Sequence, residues 1–443
     1  MKKILVLGAG RSSTDLIHYL ISVSEEKKIK IRVGDIDIEM ARQRTGNHPA
    51  TECFALNASD DEQRRNEISQ ADLVISMLPA LMHVAVAKDC ITAGKNVITP
   101  SYVSDEMWTL EAEAKSKGVL LLNEMGVDPG IDHMSAMKII HHLESLGAVI
   151  DSFESFTGGL IAPESDDNPW NYKITWNPRN VVLAGYGGTA KYQQDGELKF
   201  IPYHRLFERI IPIHIDRYGS FDGYANRDSL KYRKIYGLES IPTLLRGTLR
   251  RNGFCKAWNV LVQLGLTDDS FEIENPQNIT WRQLTASFLN LKSTDDVVNG
   301  VRNDLKVDEV SMEKLVWLGI FSDEKLDIEK GTPAVALQKL IEKKWILDSD
   351  DKDMLVMWHR FRYQLHSKRF ELQSAMVDIG LSQMNTAMSR TVGLPIGIAA
   401  IMVLEGKLKL TGIHMPVIPE IYIPVLNELE KFNIRFVETT MEL

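Results

Sequence analysis

Apolar and polar positions follow two alternating periodicities over the first third of the chain. Residues 3–7, Lys-Ile-Leu-Val-Leu, form a short apolar run that ends in Gly8-Ala9-Gly10, and behind it Leu16, Ile17, Leu20 and Ile21 recur at helical spacing. The same pair of signals then repeats. Residues 30–35 read as a strand and 36–45 as a helix. Residues 72–77 read as a strand that runs out at Leu78-Pro79, and 84–93 as a helix stopped by Gly94. Residues 96–99 form a strand ending at Pro100-Ser101-Tyr102, 105–117 a charged helix, and 119–122 a further strand. Strands alternating with helices predict an α/β fold with a Rossmann-type, doubly wound parallel sheet.

Beyond about residue 130 the pattern changes. Residues 150–159 and 181–185 read as strands, with Trp176-Asn177-Pro178-Arg179 as a turn or helix start. Residues 192–201, centred on Asp195-Gly196, and 354–375, centred on His366-Ser367-Lys368, read as hairpins. A charged, helical stretch covers 270–350. A Gly/Ala-rich helix from Thr386 to Leu404, a helix over 421–431 and a strand over 434–437 close the chain. The predicted organisation is a dinucleotide-binding domain at 1–127 completed by 386–443, an inserted α+β substrate and dimerisation domain at 128–269 and 351–385, and a small helical lobe at 270–350.

Length and composition restrict the function classes. A chain of 443 residues suggests two or three domains. The net charge of −9 argues against a nucleic-acid or anionic-membrane partner. No apolar run reads as a membrane span of roughly 18 residues, and the apolar run at 3–7 is too short for a signal peptide. Cys53, Cys90 and Cys255 are odd in number and scattered, which fits a reducing cytoplasm and makes neither a disulfide framework nor a zinc cluster. His141-His142 and the Glu-rich helix near 111–113 lack metal-ligand spacing, so no metal is expected.

The candidate chemistry sits at strand ends. Gly8 permits a tight turn and Gly10 a close approach of backbone to a pyrophosphate resting on the following helix N-terminus, so Gly8, Gly10, Arg11, Ser12 and Ser13 are cofactor candidates. Ser13 stands where the usual fingerprint has a third glycine. Asp35, followed by Ile36, closes the second strand, where a carboxylate accepts the ribose hydroxyls and repels a 2′-phosphate; this favours NAD over NADP. Asp37 is an alternative to Asp35, and a helix N-cap is an alternative role for Asp35. Ser76, Met77, Leu78 and Pro79 would lie beside the adenosine or nicotinamide half. The richest stretch is 123–133, Asn-Glu-Met-Gly-Val-Asp-Pro-Gly-Ile-Asp-His, a polar turn directly after a buried strand. Within it Asp128 leads the Pro-Gly turn, Asp132 reads as the N-cap of a helix over 133–143, and His133 as a bystander on its first turn.

Together, Gly8-Ala9-Gly10, Ser101-Tyr102-Val103-Ser104 and the 123–133 run resemble the saccharopine dehydrogenase family, in particular its glutamate-forming branch. Thr157-Gly158-Gly159-Leu160, Asn226-Arg227-Asp228-Ser229, Arg246-Gly247-Thr248-Leu249-Arg250 and Thr391-Val392-Gly393-Leu394-Pro395 agree with it. The resemblance implies NAD(P)-dependent oxidation of the lysine-side C–N bond of saccharopine to an imine, which water opens to glutamate and aminoadipate semialdehyde. It places Val127 and Asp128 at the substrate–nicotinamide junction and gives Ser101 and Tyr102 substrate contacts, with Asp128 and Tyr102 as the catalytic candidates. It points to Arg227 and residues 248–250 (Thr248, Leu249, Arg250), with Arg246, as the clamp for substrate carboxylates, a task suited to guanidinium forks. Trp176 is a candidate pocket wall. The expected partners are a small amino-acid substrate and a second copy of the chain in a homodimer. Polyamine dehydrogenases of the carboxynorspermidine and homospermidine type share the resemblance and are one alternative; a non-catalytic dinucleotide sensor is another.

Overall fold

Five short apolar runs become the parallel strands β1 (Lys2–Leu7), β2 (Ile29–Asp35), β4 (Leu73–Ser76), β5 (Asn96–Ile98) and β6 (Leu120–Leu122), and the more polar Thr51–Ala55, which the sequence pattern does not mark, adds β3, in a computed structural model that describes residues 1–443. A seventh strand, Gly412–His414, adds to β6, and the spatial order from there is β6, β5, β4, β1, β2, β3, every neighbour parallel. Ile4, Leu5, Val6 and Leu7 of β1 are all buried, because helices cover both faces of such a sheet and no alternation is needed. The order reverses between β1 and β4. Ligands of open α/β sheets bind beyond the carboxyl ends of the strands at this point.

These strands lie in a unit made of Met1–Val149 and Met376–Glu438. Its longest helix, Ala387–Leu404, starts at the N-cap Thr386, whose side chain accepts the Ser389 N–H. A side chain at Gly393 would place its Cβ 2.6 Å from the Leu16 nitrogen, so glycine lets this helix lie directly on Thr14–Ser22. Contrary to the sequence reading, Ala387–Leu404 is long and apolar enough to cross a membrane by length and composition; 89% of it is buried inside the protein, as in a core helix.

The other unit comprises Ile150–Ala375 and Thr439–Leu443. It is built on a mixed sheet in the order Ile211–Ile215, Gly219–Ala225, Thr243–Arg251, Val149–Ile161, Asp353–Leu365, Lys368–Ile379, Val437–Glu442. Thr243–Arg251 is parallel to Val149–Ile161 and antiparallel to Gly219–Ala225. The two expected hairpins form, turning at Asp195-Gly196 and at His366, all with positive φ. In its core Trp170 meets Phe254, Trp258 and Trp345 edge to face, Phe254 stacks on Trp258, and Tyr172 packs against Phe254.

Several sequence expectations differ from this architecture. Residues 181–185 are not a strand: Asn177 caps, and Pro178 opens, the helix Pro178–Leu183. The last strand is the exposed Val437–Glu442, not 434–437, and it joins the mixed sheet. The helices of 270–350 belong to the second unit rather than to a lobe of their own, and helix Ile131–Ser145 belongs to the first.

Candidate active site

The glycine loop leaves β1 at the switch point. Gly8 has φ +97, and a Cβ there would stand 3.0 Å from the Met77 carbonyl oxygen, so internal packing requires this glycine. Gly10 differs: its φ is −64, and an added Cβ would meet nothing within 4 Å. Nothing inside the protein demands a glycine at this second position, whereas a phosphate lying on the loop does. The short 3-10 helix Arg11–Ser13 leads into Thr14–Ser22, and the Ser13 hydroxyl donates to the Gly10 carbonyl at 2.8 Å. Ser13 thus fits in place of a third glycine by folding back on its own turn.

Asp35 accepts the Ala9 N–H through Oδ2 at 2.6 Å and the Asp37 N–H through Oδ1 at 2.9 Å. Its carboxylate is therefore tied to the glycine loop, with lone pairs left over for ribose hydroxyls. Asp37 caps helix Ile38–Thr45 through the Glu39 and Met40 amides, so the capping role weighed for Asp35 falls to Asp37. Arg32 is taken up by Glu52 and Glu67. Ile36 is exposed beside Asp35. Burial and the charge of Arg11 hold the Arg44 guanidinium below its ordinary value, which marks two cations in mutual range near the loop. These residues fit a dinucleotide: a cradle at Gly10 that a Cβ would occupy, helix-turn amides and an acid at the end of β2.

At the ends of β4 and β5 the structure adds a residue that the sequence reading overlooked. His83 is buried, and its Nδ1 is 2.9 Å from Ser76 Oγ while Nε2 is 2.8 Å from Ser101 Oγ and 3.0 Å from Thr99 Oγ1. Burial pushes its pKa down to about 4, so the ring is neutral near pH 7 and donates at one nitrogen while accepting at the other. It joins the Ser76–Pro79 turn, with Met77 and Leu78, to the loop that carries Ser101 and Tyr102.

Tyr102 is half exposed, and its hydroxyl donates to Asp128 Oδ1 at 3.1 Å. The two catalytic candidates, from the loops after β5 and β6, thus form one pair. Asp128 precedes a cis peptide to Pro129, and the neighbouring Val127 is buried with its carbonyl accepting the Asp132 N–H. Asp132 is not the helix cap expected of it. Gly130, at φ 148, is the N-cap of Ile131–Ser145, and Asp132 accepts the Gly130 N–H at 2.6 Å from within the first turn. His133, read as a bystander, is fully buried and 2.8 Å from Glu124 Oε2.

In the second unit the expected carboxylate clamp divides. Arg227 is exposed, and its Nη2 donates to the Leu183 and Tyr186 carbonyls at 2.8 Å each, closing the end of helix Pro178–Leu183. Leu249 buries its side chain in the core. Thr248 donates to Asn226 Oδ1 at 2.9 Å. Arg246 is buried with its guanidinium 4.5 Å from the Tyr232 ring centre. Arg250 is buried against the rings of Tyr172, Tyr224 and Phe254, donates to the Leu249 carbonyl, and has an Nε–H without an acceptor. Trp176 donates to the Tyr172 hydroxyl at 3.2 Å and so backs the same aromatic group. A buried guanidinium with an idle donor is chemically suited to an anionic ligand.

A parallel sheet in this strand order, a glycine loop open at Gly10 and an acid ending β2 define a Rossmann-type dinucleotide-binding protein carrying a second, mixed-sheet unit. The family follows from comparison with known proteins. Residues 4–122 match the saccharopine dehydrogenase NADP binding domain and residues 126–434 the saccharopine dehydrogenase C-terminal domain, so the chain belongs to the saccharopine dehydrogenase family. It is 32% identical over 453 residues to the saccharopine dehydrogenase (NADP(+), L-glutamate-forming) of Schizosaccharomyces pombe, covering 100% of both chains. It is 34% identical to the mitochondrial alpha-aminoadipic semialdehyde synthase of Bos taurus over 100% of this chain and 48% of that one; the chain spans about half the length of such relatives. Among solved structures, the apo saccharopine dehydrogenase (L-Glu forming) of Saccharomyces cerevisiae superposes with a TM-score of 0.90 at 31% identity, covering 100% of each chain. The homospermidine synthase of Legionella pneumophila shares the fold alone, with a TM-score of 0.57 at 9% identity over 99% of this chain and 91% of that one.

Proposed function

We propose that this chain oxidises saccharopine, with NAD as hydride acceptor, and that water completes the reaction to glutamate, aminoadipate semialdehyde, NADH and a proton. The observation that carries the reading is the Tyr102–Asp128 hydrogen bond, set at the strand ends of a dinucleotide-binding sheet. Full-length similarity to fungal proteins named for this reaction supports it.

A bound nicotinamide dinucleotide supplies the hydride acceptor, held by the Gly8–Ser13 loop and Asp35. Asp128 accepts the proton that the secondary amine sheds and passes it to solvent, and the carboxylate thus restored stabilises the cation that develops on nitrogen as hydride leaves the carbon and the C–N bond becomes an imine. Tyr102 fixes that carboxylate through its hydroxyl. When water adds, the same pair holds the proton that leaves it and returns it to the departing glutamate nitrogen. Arg246 and Arg250 supply charge for the substrate carboxylates, and Ser101, held by His83, is the hydroxyl next to Tyr102 for substrate contact. The choice of NAD rests on Asp35: its carboxylate suits a free ribose hydroxyl pair and repels a 2′-phosphate, although the fungal relatives carry NADP(+) in their names.

Incubation with saccharopine and either dinucleotide tests the reading through the reduced-nicotinamide absorbance band and release of glutamate. The proposal expects both signals, stronger with NAD. No reduction of either dinucleotide overturns it.

A further inference from the structure

Behind the Tyr102–Asp128 pair runs a line of buried ionisable groups for which the proposed chemistry has no use. Glu124, Asp132 and His133 are each 1% exposed or less. Glu124 stands in the left-handed region at φ 57, a conformation that non-glycine residues adopt only when the surroundings enforce it. One of its oxygens, Oε1, accepts the Val103 N–H at 2.9 Å; the other, Oε2, is 2.8 Å from His133 Nε2. An ionised carboxylate only accepts, so the imidazole donates from Nε2. On the far side, Asp132 Oδ2 lies 3.6 Å from His133 Nδ1, and Asp132 Oδ1 accepts the Gly130 N–H at 2.6 Å.

The line therefore starts at the residue after Tyr102 and ends two residues after Asp128. Backbone contacts follow the same path, since the Glu124 N–H donates to the Ser101 carbonyl at 3.2 Å. Gly130 leaves the turn no slack: its φ is 148, and a Cβ there would fall 1.9 Å from the Gly126 oxygen. Two carboxylates and an imidazole removed from water are a costly means of bracing a turn, because each must keep its partner or stand as an uncompensated buried group. An apolar core would brace it equally well. What the polar line adds is direction: it fixes one loop against the other at the two residues that must meet.

We infer that Glu124 and His133 are positioning residues for the Tyr102–Asp128 pair, and the inference rests on reading that pair as the proton-handling group. Their hydrogen bonds to Val103 and to each other lie at the loops that carry Tyr102 and Asp128, so they set the rate of the chemical step and leave dinucleotide affinity alone.

The test is steady-state kinetics of His133→Leu, His133→Gln and Glu124→Gln, each made in the wild-type chain and in Tyr102→Phe, with dinucleotide Kd measured in parallel. His133→Leu is expected to lower kcat about 10²-fold, the scale on which a misplaced catalytic group acts, with dinucleotide Kd unchanged. His133→Gln, which keeps a donor for Glu124, is expected to recover most of that loss. In the Tyr102→Phe chain, His133→Leu should cost little more, since the hydroxyl it positions is gone. Equal losses in both backgrounds, or a loss shared by dinucleotide Kd and not recovered by glutamine, would overturn the inference. Should His133→Leu fail to fold, Glu124→Gln in both backgrounds carries the same comparison. Wild-type kcat in Tyr102→Phe would instead sink the reading of the pair, and the inference with it.

Discussion

Alanine at Gly10 and alanine at Gly8 should have opposite signatures, although only Ala9 separates them. At Gly10 the backbone sits at φ −64, which alanine adopts freely, and the new methyl meets nothing within 4 Å. The folded state loses nothing, while the unfolded chain loses freedom, so Gly10→Ala should leave stability unchanged or raise it by about 0.4–1 kcal/mol. The same methyl would project where the backbone must approach a pyrophosphate, so dinucleotide affinity should drop by about tenfold or more, the equivalent of about 1.4 kcal/mol. At Gly8 the φ of +97 is a conformation that side chains rarely adopt, and the Cβ would press on Met77 O at 3.0 Å. Left-handed backbone costs a non-glycine residue about 1–2 kcal/mol, and the contact adds to it. Gly8→Ala should therefore lower the unfolding free energy by about 2 kcal/mol. Urea denaturation without ligand gives the first quantity and calorimetric titration with NAD and NADP the second. A Gly10→Ala protein that binds both dinucleotides as the wild type does would refute the placement of the cofactor on this loop.

Three further outcomes follow from the geometry. Asp35→Ala should weaken NAD and strengthen NADP, because the carboxylate that accepts the ribose hydroxyls and repels a 2′-phosphate is then gone; equal loss for both dinucleotides in kcat/KM would remove Asp35 from cofactor choice. Arg250→Met should change the unfolding free energy by less than about 1 kcal/mol, since the lost cation–π contacts are offset by relief of a buried charge, yet raise KM for saccharopine about tenfold or more; an unchanged KM would assign Arg250 to the core alone. His83 titrates at about 4 in the folded chain against an ordinary value of 6.5, so the unfolded state takes up the proton first as pH falls, and stability should decline by up to about 3 kcal/mol between pH 6.5 and 4; denaturation midpoints of His83→Gln across that window should lack this part of the decline, and an identical slope would show that His83 is not held neutral by burial.

The first domain was legible because a parallel sheet buried on both faces writes its strands as continuous apolar runs. The exception is β3, Thr-Glu-Cys-Phe-Ala at the sheet's edge, whose polar residues hide it. Val181 and Val182 misled through β propensity; the Asn177 cap and Pro178 at the first helical position outweighed it. Gly8, Gly10 and Asp35 could be read at sequence level since one strand–turn–helix contains the first two and the next strand end the third. His83 could not. Its partners Ser76, Thr99 and Ser101 become neighbours only because β4 and β5 lie side by side. The roles of Glu124 and His133 were hidden for a related reason: the turn at Gly130 has to form before residues nine apart can meet. Arg227 shows a structural role its sequence context does not announce: the Nη2 of its guanidinium holds two carbonyls of its own unit.

The account stands most directly on which carbon gives up the hydride. Saccharopine carrying two deuteriums on the lysine-side carbon bonded to nitrogen, incubated with NAD and this protein, should yield reduced nicotinamide bearing one deuterium, together with unlabelled glutamate. Reduced nicotinamide free of label, formed alongside lysine that retains both deuteriums, would show that the bond on the glutamate side is oxidised instead and would contradict the proposal.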